Sequence, residues 1–413
     1  MTEDGLLRRA EELERTLAVE IGAIRHMQRQ NHLRVLAAFR ACGVSSADFR
    51  STNGYGIDDR IRGKVEAVFA RLYGAESALV RPQIISGTHA LAIALFGVLR
   101  PGDLLACVTG EPYDTMEEII GIRPSPGSLA EFGVHYAQCD LCGTVRSEWS
   151  AVLKGCFAER RPRMVLIQRS RGYARRKSMT SGEVATVISE LRQVVPSALI
   201  LVDNCYGDLV DLREPSMDGA DLLASSFMKN LGAGIVPTGG YIVGTREAVS
   251  LAATRFSSPG VGAEIGPSLG FGESILRGLM FAPLVLEQAL IGSLLAGALL
   301  TEHGFTVSPG RGDPRGDIVL AIEFGTRQRL LAFARAIQEL SALDADAVPQ
   351  PAAMQGYECP VLMSGGTFVQ GSTIELSFDA PVREPYTGYL QGGLHAWQIV
   401  SAVARGIIYC MDA

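Results

Sequence analysis

Lysine is nearly absent from this chain. Its 413 residues carry 38 basic side chains, of which only four are lysine, Lys64, Lys154, Lys177 and Lys229. Chemistry that needs a primary amine therefore has four side chains to choose from. Histidine is scarce too, with six residues and no pair at helical ligand spacing, and the one C-x-x-C is Cys139 with Cys142. A zinc site needs four ligands, so this lone pair predicts no metal. A cationic surplus is missing. The formal net charge is −6, the basic run at 169–177 offers no interleaved aromatic platform, and nucleic acid is not an expected partner. The N-terminus, MTEDGLLRRAEELERTL, lacks the apolar core and cleavage site of a signal peptide. A cytoplasmic location is expected, with the eight cysteines as reduced thiols. The one long apolar run, Leu279 to Leu300, contains Pro283, Glu287 and Gln288. A membrane span disfavours a central acid, so the run reads as a buried helix and no membrane partner is expected.

What is present suits a large folded core. Apolar residues make up 47% and charged residues 20%, which excludes a disordered chain. Residues 1 to about 45 read as helix, with Leu6, Leu7, Leu13 and Leu17 at helical spacing. A Gly-containing loop, Ser51–Asp59, precedes a helix over Lys64–Tyr73 that stops at Gly74. From residue 79 to about 245, strands and helices alternate. The strand readings are Leu104–Val108, Val134–Gln138, Met164–Gln168, Ala198–Asp203 and Tyr241–Val243; the helices between them are His89–Leu99, Ser147–Phe157 and Ser181–Val194. Such alternation predicts an α/β architecture with a mostly parallel sheet, whose ligands sit at the carboxyl ends of strands. Beyond the apolar run the texture is that of a smaller α+β unit: strand Ile318–Phe324, helix Arg327–Leu340, loop Asp344–Met363, strand Ile374–Phe378 and helix Leu394–Ile407. The expected division is an N-terminal helical segment over 1–50, a large ligand-binding domain over 51–295 and a small C-terminal domain over 296–413.

Four features point to one cofactor. Lys229 follows an apolar run from Leu222 and precedes glycines at 232, 234, 239 and 240. Desolvation there would lower its pKa, as imine chemistry requires, although a strand-end lysine can also snorkel to water. Asp203 ends the apolar run Ala198–Val202, 26 residues before Lys229. It can serve as the partner of a pyridinium nitrogen, or simply cap a turn. Ser86-Gly87-Thr88-His89 opens a helix, either as a phosphate site or as ordinary N-capping. Tyr113, in Gly110-Glu111-Pro112-Tyr113-Asp114-Thr115, can stack on a flat ring and move a proton, or sit exposed on a turn.

This order of phosphate turn, aromatic, strand-end Asp and Lys resembles that of pyridoxal-phosphate enzymes with the aspartate-aminotransferase fold, fold type I. Further motifs narrow the likeness. They are Gly54-Tyr55-Gly56-Ile57-Asp58-Asp59-Arg60, Gln168-Arg169-Ser170-Arg171-Gly172-Tyr173, Val202-Asp203-Asn204-Cys205-Tyr206-Gly207, Lys229-Asn230, Arg383-Glu384-Pro385-Tyr386 and Gln391-Gly392-Gly393-Leu394. Together they resemble the methionine gamma-lyase-like or cystathionine beta-lyase-like group of aluminium-resistance proteins, over roughly residues 50–410.

The resemblance implies pyridoxal 5'-phosphate as cofactor, held by Lys229 as a Schiff base. Asp203 would pair with its ring nitrogen. Ser86, Gly87, Thr88 and Ser226 would hold its phosphate, and Tyr113 would stack and assist proton transfer. Tyr55 and Arg60 would reach into a neighbouring subunit's phosphate site, in a homodimer or homotetramer with active sites at the dimer interface. The reaction implied is elimination of a β- or γ-substituent, a thiol or another leaving group, from an amino acid. Aminotransfer, aldol cleavage and non-catalytic cofactor binding use the same residues and stay open. The substrate carboxylate is assigned to an arginine. The better-known lyases place one just before a short Ser-containing strand, where this chain has Glu375 ahead of Leu376 and Ser377. Arg383 is the next candidate, by bidentate geometry, with Arg169 and Arg171 beside it. The run Arg169, Arg171, Arg175, Arg176 and Lys177 also reads as a solvated face.

Overall fold

The computed structural model describes residues 2–413. Two helices come first, α1 (Glu3–Thr16) and α2 (Ala18–Ala41), followed by α3 (Arg60–Tyr73), which ends on Gly74 in the left-handed conformation. Seven strands then build the larger sheet: β1 (Ser77–Arg81), β2 (Leu104–Cys107), β3 (His135–Gln138), β4 (Met164–Gln168), β5 (Leu199–Asp203), β6 (Leu222–Ser226) and β7 (Gly240–Gly244). Between and after them lie α4 (Gly87–Val98), α5 (Asp114–Ile120), α6 (Trp149–Cys156), α7 (Ser181–Val194) and α8 (Arg246–Phe256).

The strand order is β1-β7-β6-β5-β4-β2-β3. All neighbours among β2 to β6 are parallel, and β7 runs against both β6 and β1. Strands β4, β2 and β7 are buried along their whole length, the pattern of a sheet covered on both faces. Pairing of Gln168 with Asp203, and of Asp203 with Ala224, brings the carboxyl ends of β4, β5 and β6 side by side.

The apolar run forms α9 (Phe271–Glu302), which carries Pro283. It is the one described helix long and apolar enough to cross a membrane by length and composition, and 72% of its apolar window is buried. Its first half, Ile275 to Leu290, packs into the core of the large sheet. Its second half, Ile291 to Leu300, packs into a second core that also takes Leu6, Ala10, Leu13 and Leu17. The N-terminal helix α1 therefore shares a core with the C-terminal part of the chain. That part holds β8 (Thr306–Ser308), β9 (Leu320–Glu323), α10 (Arg327–Glu339), β10 (Val361–Ser364), β11 (Ser377–Pro381), β12 (Thr387–Gln391) and α11 (Ala396–Met411). Its sheet is antiparallel, in the order β10-β11-β12-β9-β8.

Two expectations change. The strand read at Ile374–Phe378 lies at Ser377–Pro381, because Ile374 and Leu376 are buried without being in the ladder. The thiols are not all free: Cys139, at the end of β3, is joined to Cys156, at the end of α6, in a disulfide across 6.5 Å between Cα atoms. The six other cysteines are unpaired.

Candidate active site

A cavity of about 460 Å³ lies where the carboxyl ends of β4, β5 and β6 meet one face of the antiparallel sheet. It is lined by Ser86, Gly87, Thr88, Tyr113, Asp203, Ser226 and Lys229, seven of the residues singled out from the sequence. They come from four separate segments, brought together by strand order alone.

Ser86 caps α4 by accepting from the His89 N–H at 3.0 Å. The helix start at Gly87 and Thr88 therefore points N–H groups and a helix dipole into the cavity, a ready anion site. A Cβ at Gly87 would lie 2.7 Å from Cys205 Sγ and 3.8 Å from Ser226 Oγ, so only glycine leaves this cradle open. Ser226 is 1% exposed, and its Oγ has no hydrogen-bond partner among the described residues. An orphaned hydroxyl beside an open helix start suits a phosphate, which would accept from both.

Asp203 is buried at the end of β5 and accepts from the Cys205 N–H at 3.1 Å. Burial pushes its carboxyl up to about 6, against the bond from Cys205. A carboxylate short of cationic partners fits a ring nitrogen that must stay protonated. Burial also lowers the pKa of Lys229, which favours the neutral amine. Its Nζ donates to Tyr206 Oη at 2.7 Å and lies 4.1 Å from that ring's centroid. Tyr113 Oη is 3.1 Å from Thr88 Oγ1, and the Tyr113 N–H donates to Gln168 Oε1 at 3.0 Å. Burial, then the nearby charge of Asp203, holds the Tyr113 phenol well above its usual range, so it keeps its proton at neutral pH.

Other expected residues lie elsewhere. Arg169, expected as a substrate contact, does not line the cavity. It is fully buried, with Nη1 donating to Asn204 Oδ1 at 2.9 Å and to the Gly207 carbonyl at 2.8 Å, and Nη2 to Ser181 Oγ at 3.0 Å. A buried guanidinium needs many acceptors, and the turn after β5 supplies them. Arg171 donates to Ser308 Oγ at 2.8 Å, linking the two sheets, and does not line the cavity. Arg383 is exposed and outside the lining. The charges of Arg171, Arg383 and Arg175 nevertheless bear on Tyr389, which does line it. Glu375 is explained by its contacts: its carboxylate accepts from the Phe368 and Val369 N–H groups at 2.8 and 3.1 Å, pinning the loop before β11. Tyr55 is 74% exposed, and Arg60 pairs with Asp48; both lie outside this cavity within one chain.

Several lining residues escaped the sequence reading. Tyr206 stands three residues after Asp203, in a motif already singled out, and its left-handed backbone (φ 67°) belongs to the turn that follows β5. Tyr173 stacks obliquely on Tyr357 and Tyr389, forming an aromatic wall. Asp379 comes from β11, a strand placed differently from the sequence reading; Gln391, in a motif already quoted but given no role, comes from β12, a strand not read from the sequence. Among the described residues no group of three or more His, Cys, Asp or Glu side chains suits a metal.

A lysine and a strand-end acid at the carboxyl ends of central strands in a mostly parallel sheet, with a phosphate cradle beside them, define the class of fold type I pyridoxal-phosphate proteins. Solved structures of that fold share the architecture at 17–20% identity. The chain belongs to the methionine gamma-lyase family, whose description it matches over residues 6–410. It is 41% identical over 410 residues to the protein YnbB of Bacillus subtilis, covering 98% of this chain and 97% of that one. A carbon-sulfur lyase involved in aluminium resistance from Clostridium novyi NT is 37% identical, with TM-score 0.91 and coverage of 99% and 96%. A candidate cystathionine beta-lyase involved in aluminium resistance from Listeria innocua is 41% identical, with TM-score 0.93 and 99% of each chain covered.

Proposed function

We propose that this chain is a pyridoxal-phosphate-dependent lyase that eliminates a β- or γ-substituent, a thiol or a related leaving group, from an amino acid. The observation that carries this reading is the convergence of Lys229, Asp203, Tyr113 and the Gly87–Ser226 cradle on one cavity. Family membership and the carbon-sulfur lyase likeness support it. When bound, pyridoxal phosphate supplies an aldehyde for an amine and a cationic ring that takes up a carbanion's electron pair. Lys229 would hold the cofactor and, once freed, carry the α-proton; burial lowers its pKa, in the direction that task needs. Tyr206 Oη fixes the position of Nζ. Asp203 would keep the ring nitrogen protonated. Tyr113, which retains its proton, would give it to the departing atom.

A second copy of the chain completes this site in the proposed assembly. Tyr55, Ile57, Ile85 and Leu269 are all at least half exposed. Tyr55 shares a shallow surface pocket with His89, whose Nδ1 accepts from the Ile85 N–H just before the same helix start. A homodimer or homotetramer would cover these side chains and bring Tyr55 and Arg60 to a neighbour's phosphate.

The test combines a visible spectrum with product analysis. The chain expressed with pyridoxal phosphate should show a lysine-imine band, which Lys229→Ala loses. It should release ammonia and a 2-oxo acid with no added amino acceptor. Turnover that requires an acceptor would replace elimination by aminotransfer, and a retained imine band in Lys229→Ala would remove the assignment of Lys229.

A further inference from the structure

We infer that Asp379, with Gln391 and Ser377, forms a side-chain subsite selecting amino acids that end in a hydrogen-bond donor, an ammonium above all, over those ending in a carboxylate. The inference rests on reading the cavity as an amino-acid lyase site.

The subsite follows from strand register. Ser377 pairs with Gln391 across β11 and β12, and Asp379 pairs with Tyr389 there and with Met363 of β10. Residues opposite one another in an antiparallel pair share a face. These five side chains accordingly line the cavity, while Phe378 and Leu390 point into the apolar core behind.

The donors and acceptors on this wall do not balance. Asp379 Oδ2 accepts from Gln391 Nε2 at 2.8 Å. The Gln391 amide stands with its NH2 toward Asp379, which leaves Oε1 free. Gln391 Oε1 is buried without a partner, as is Ser377 Oγ, and Asp379 Oδ1 has no protein donor among the described residues. Lys229 is the one cationic side chain lining the cavity among the described residues, and the cofactor would engage it. The arginines whose charge reaches Tyr389 do not line this wall. An ammonium or hydroxyl would satisfy both Asp379 and Gln391 Oε1. A side-chain carboxylate would meet the same two acceptors with no counter-charge, and only the neutral Ser377 hydroxyl could donate to it, which is unfavourable.

The test titrates the pyridoxal-phosphate-loaded chain with L-norvaline, L-homoserine, L-2,4-diaminobutyrate, L-aspartate and L-glutamate, reading a Kd for each from the cofactor's absorption. Diaminobutyrate is expected to bind about tenfold tighter than norvaline, homoserine in between, and the two acids about tenfold weaker. Asp379→Asn keeps the shape and removes the charge. It is expected to erase most of both differences while norvaline binding stays within about twofold. Gln391→Glu, a second acid on the same wall, is expected to widen the gap between diaminobutyrate and the acids. An ordering unchanged in Asp379→Asn, a gap narrowed in Gln391→Glu, or acids that bind the wild type as tightly as diaminobutyrate would each overturn the inference. Failure of the lyase reading is distinct: 2-oxo acid release would be missing while this ordering stood.

Discussion

Lys229 Nζ and Tyr206 Oη stand 2.7 Å apart, and the same phenol presents its ring to the amine. The contact holds the one amine lining the cavity among the described residues in one position. Burial keeps the Tyr206 phenol protonated, well above its ordinary range. Tyr206→Phe retains the ring and removes the hydroxyl. A lost hydrogen bond of about 1 to 2 kcal/mol corresponds to a five- to thirtyfold fall in kcat, with an unchanged melting temperature. Steady-state kinetics beside a thermal melt checks this; a fall in stability without a fall in kcat would make the contact merely structural.

Asp203 carries a pH signature of its own. Its carboxyl is raised from 3.8 to about 6 in the folded, cofactor-free chain. Between those values the folded state binds more protons than the unfolded one. Stability from this group is therefore present at low pH and lost as pH rises, by roughly 3 kcal/mol at the upper limit. Asp203→Asn should raise the melting temperature of the cofactor-free chain near pH 7.5, by a few degrees, and weaken cofactor binding by at least about tenfold. A variant less stable at that pH would contradict the desolvation argument.

Gly87 is expected to tolerate no side chain. Gly87→Ala places a Cβ against Cys205 Sγ and toward Ser226 Oγ. Pairing it with Cys205→Ala separates two effects. The double variant should recover folding stability but not cofactor affinity, since the Cβ still fills the cradle. Equilibrium dialysis with pyridoxal phosphate reads the affinity; full recovery there would remove the phosphate assignment.

Arg169 should matter for stability rather than for substrate binding. Arg169→Met removes the donors to Asn204, Gly207 and Ser181 and leaves Glu214 buried without its cation at 3.8 Å. The expected destabilisation is about 3 to 5 kcal/mol, measured by urea unfolding. A KM effect with normal stability would restore it as a substrate contact.

Much of the large sheet was legible because its signals are local. Met164–Gln168 and Ser181–Val194 form with the bounds the apolar runs and capping residues predict. Strand β11 was misplaced because Ile374 and Leu376 look like strand core, whereas a loop buries them and only Phe378 and Ala380 face inward from the ladder. That shift of three residues hid Asp379 and drew attention to Glu375, whose carboxylate serves the loop. Arg169 looked available because a run of basic residues usually faces solvent; the turn around Asn204 enclosed it.

Composition and local pattern by themselves determined the lysine, the strand-end acid and the glycine-opened helix, since scarcity, apolar runs and capping chemistry are properties of neighbouring residues. Tertiary structure alone decided which residues share the cavity. Asp379, Gln391 and Tyr389 join Lys229 through antiparallel register in a second sheet more than a hundred residues away, and no local spacing encodes a register. It also decided that one cysteine pair closes into a disulfide and that one arginine of a basic run is buried, because both outcomes depend on what packs across the sheet.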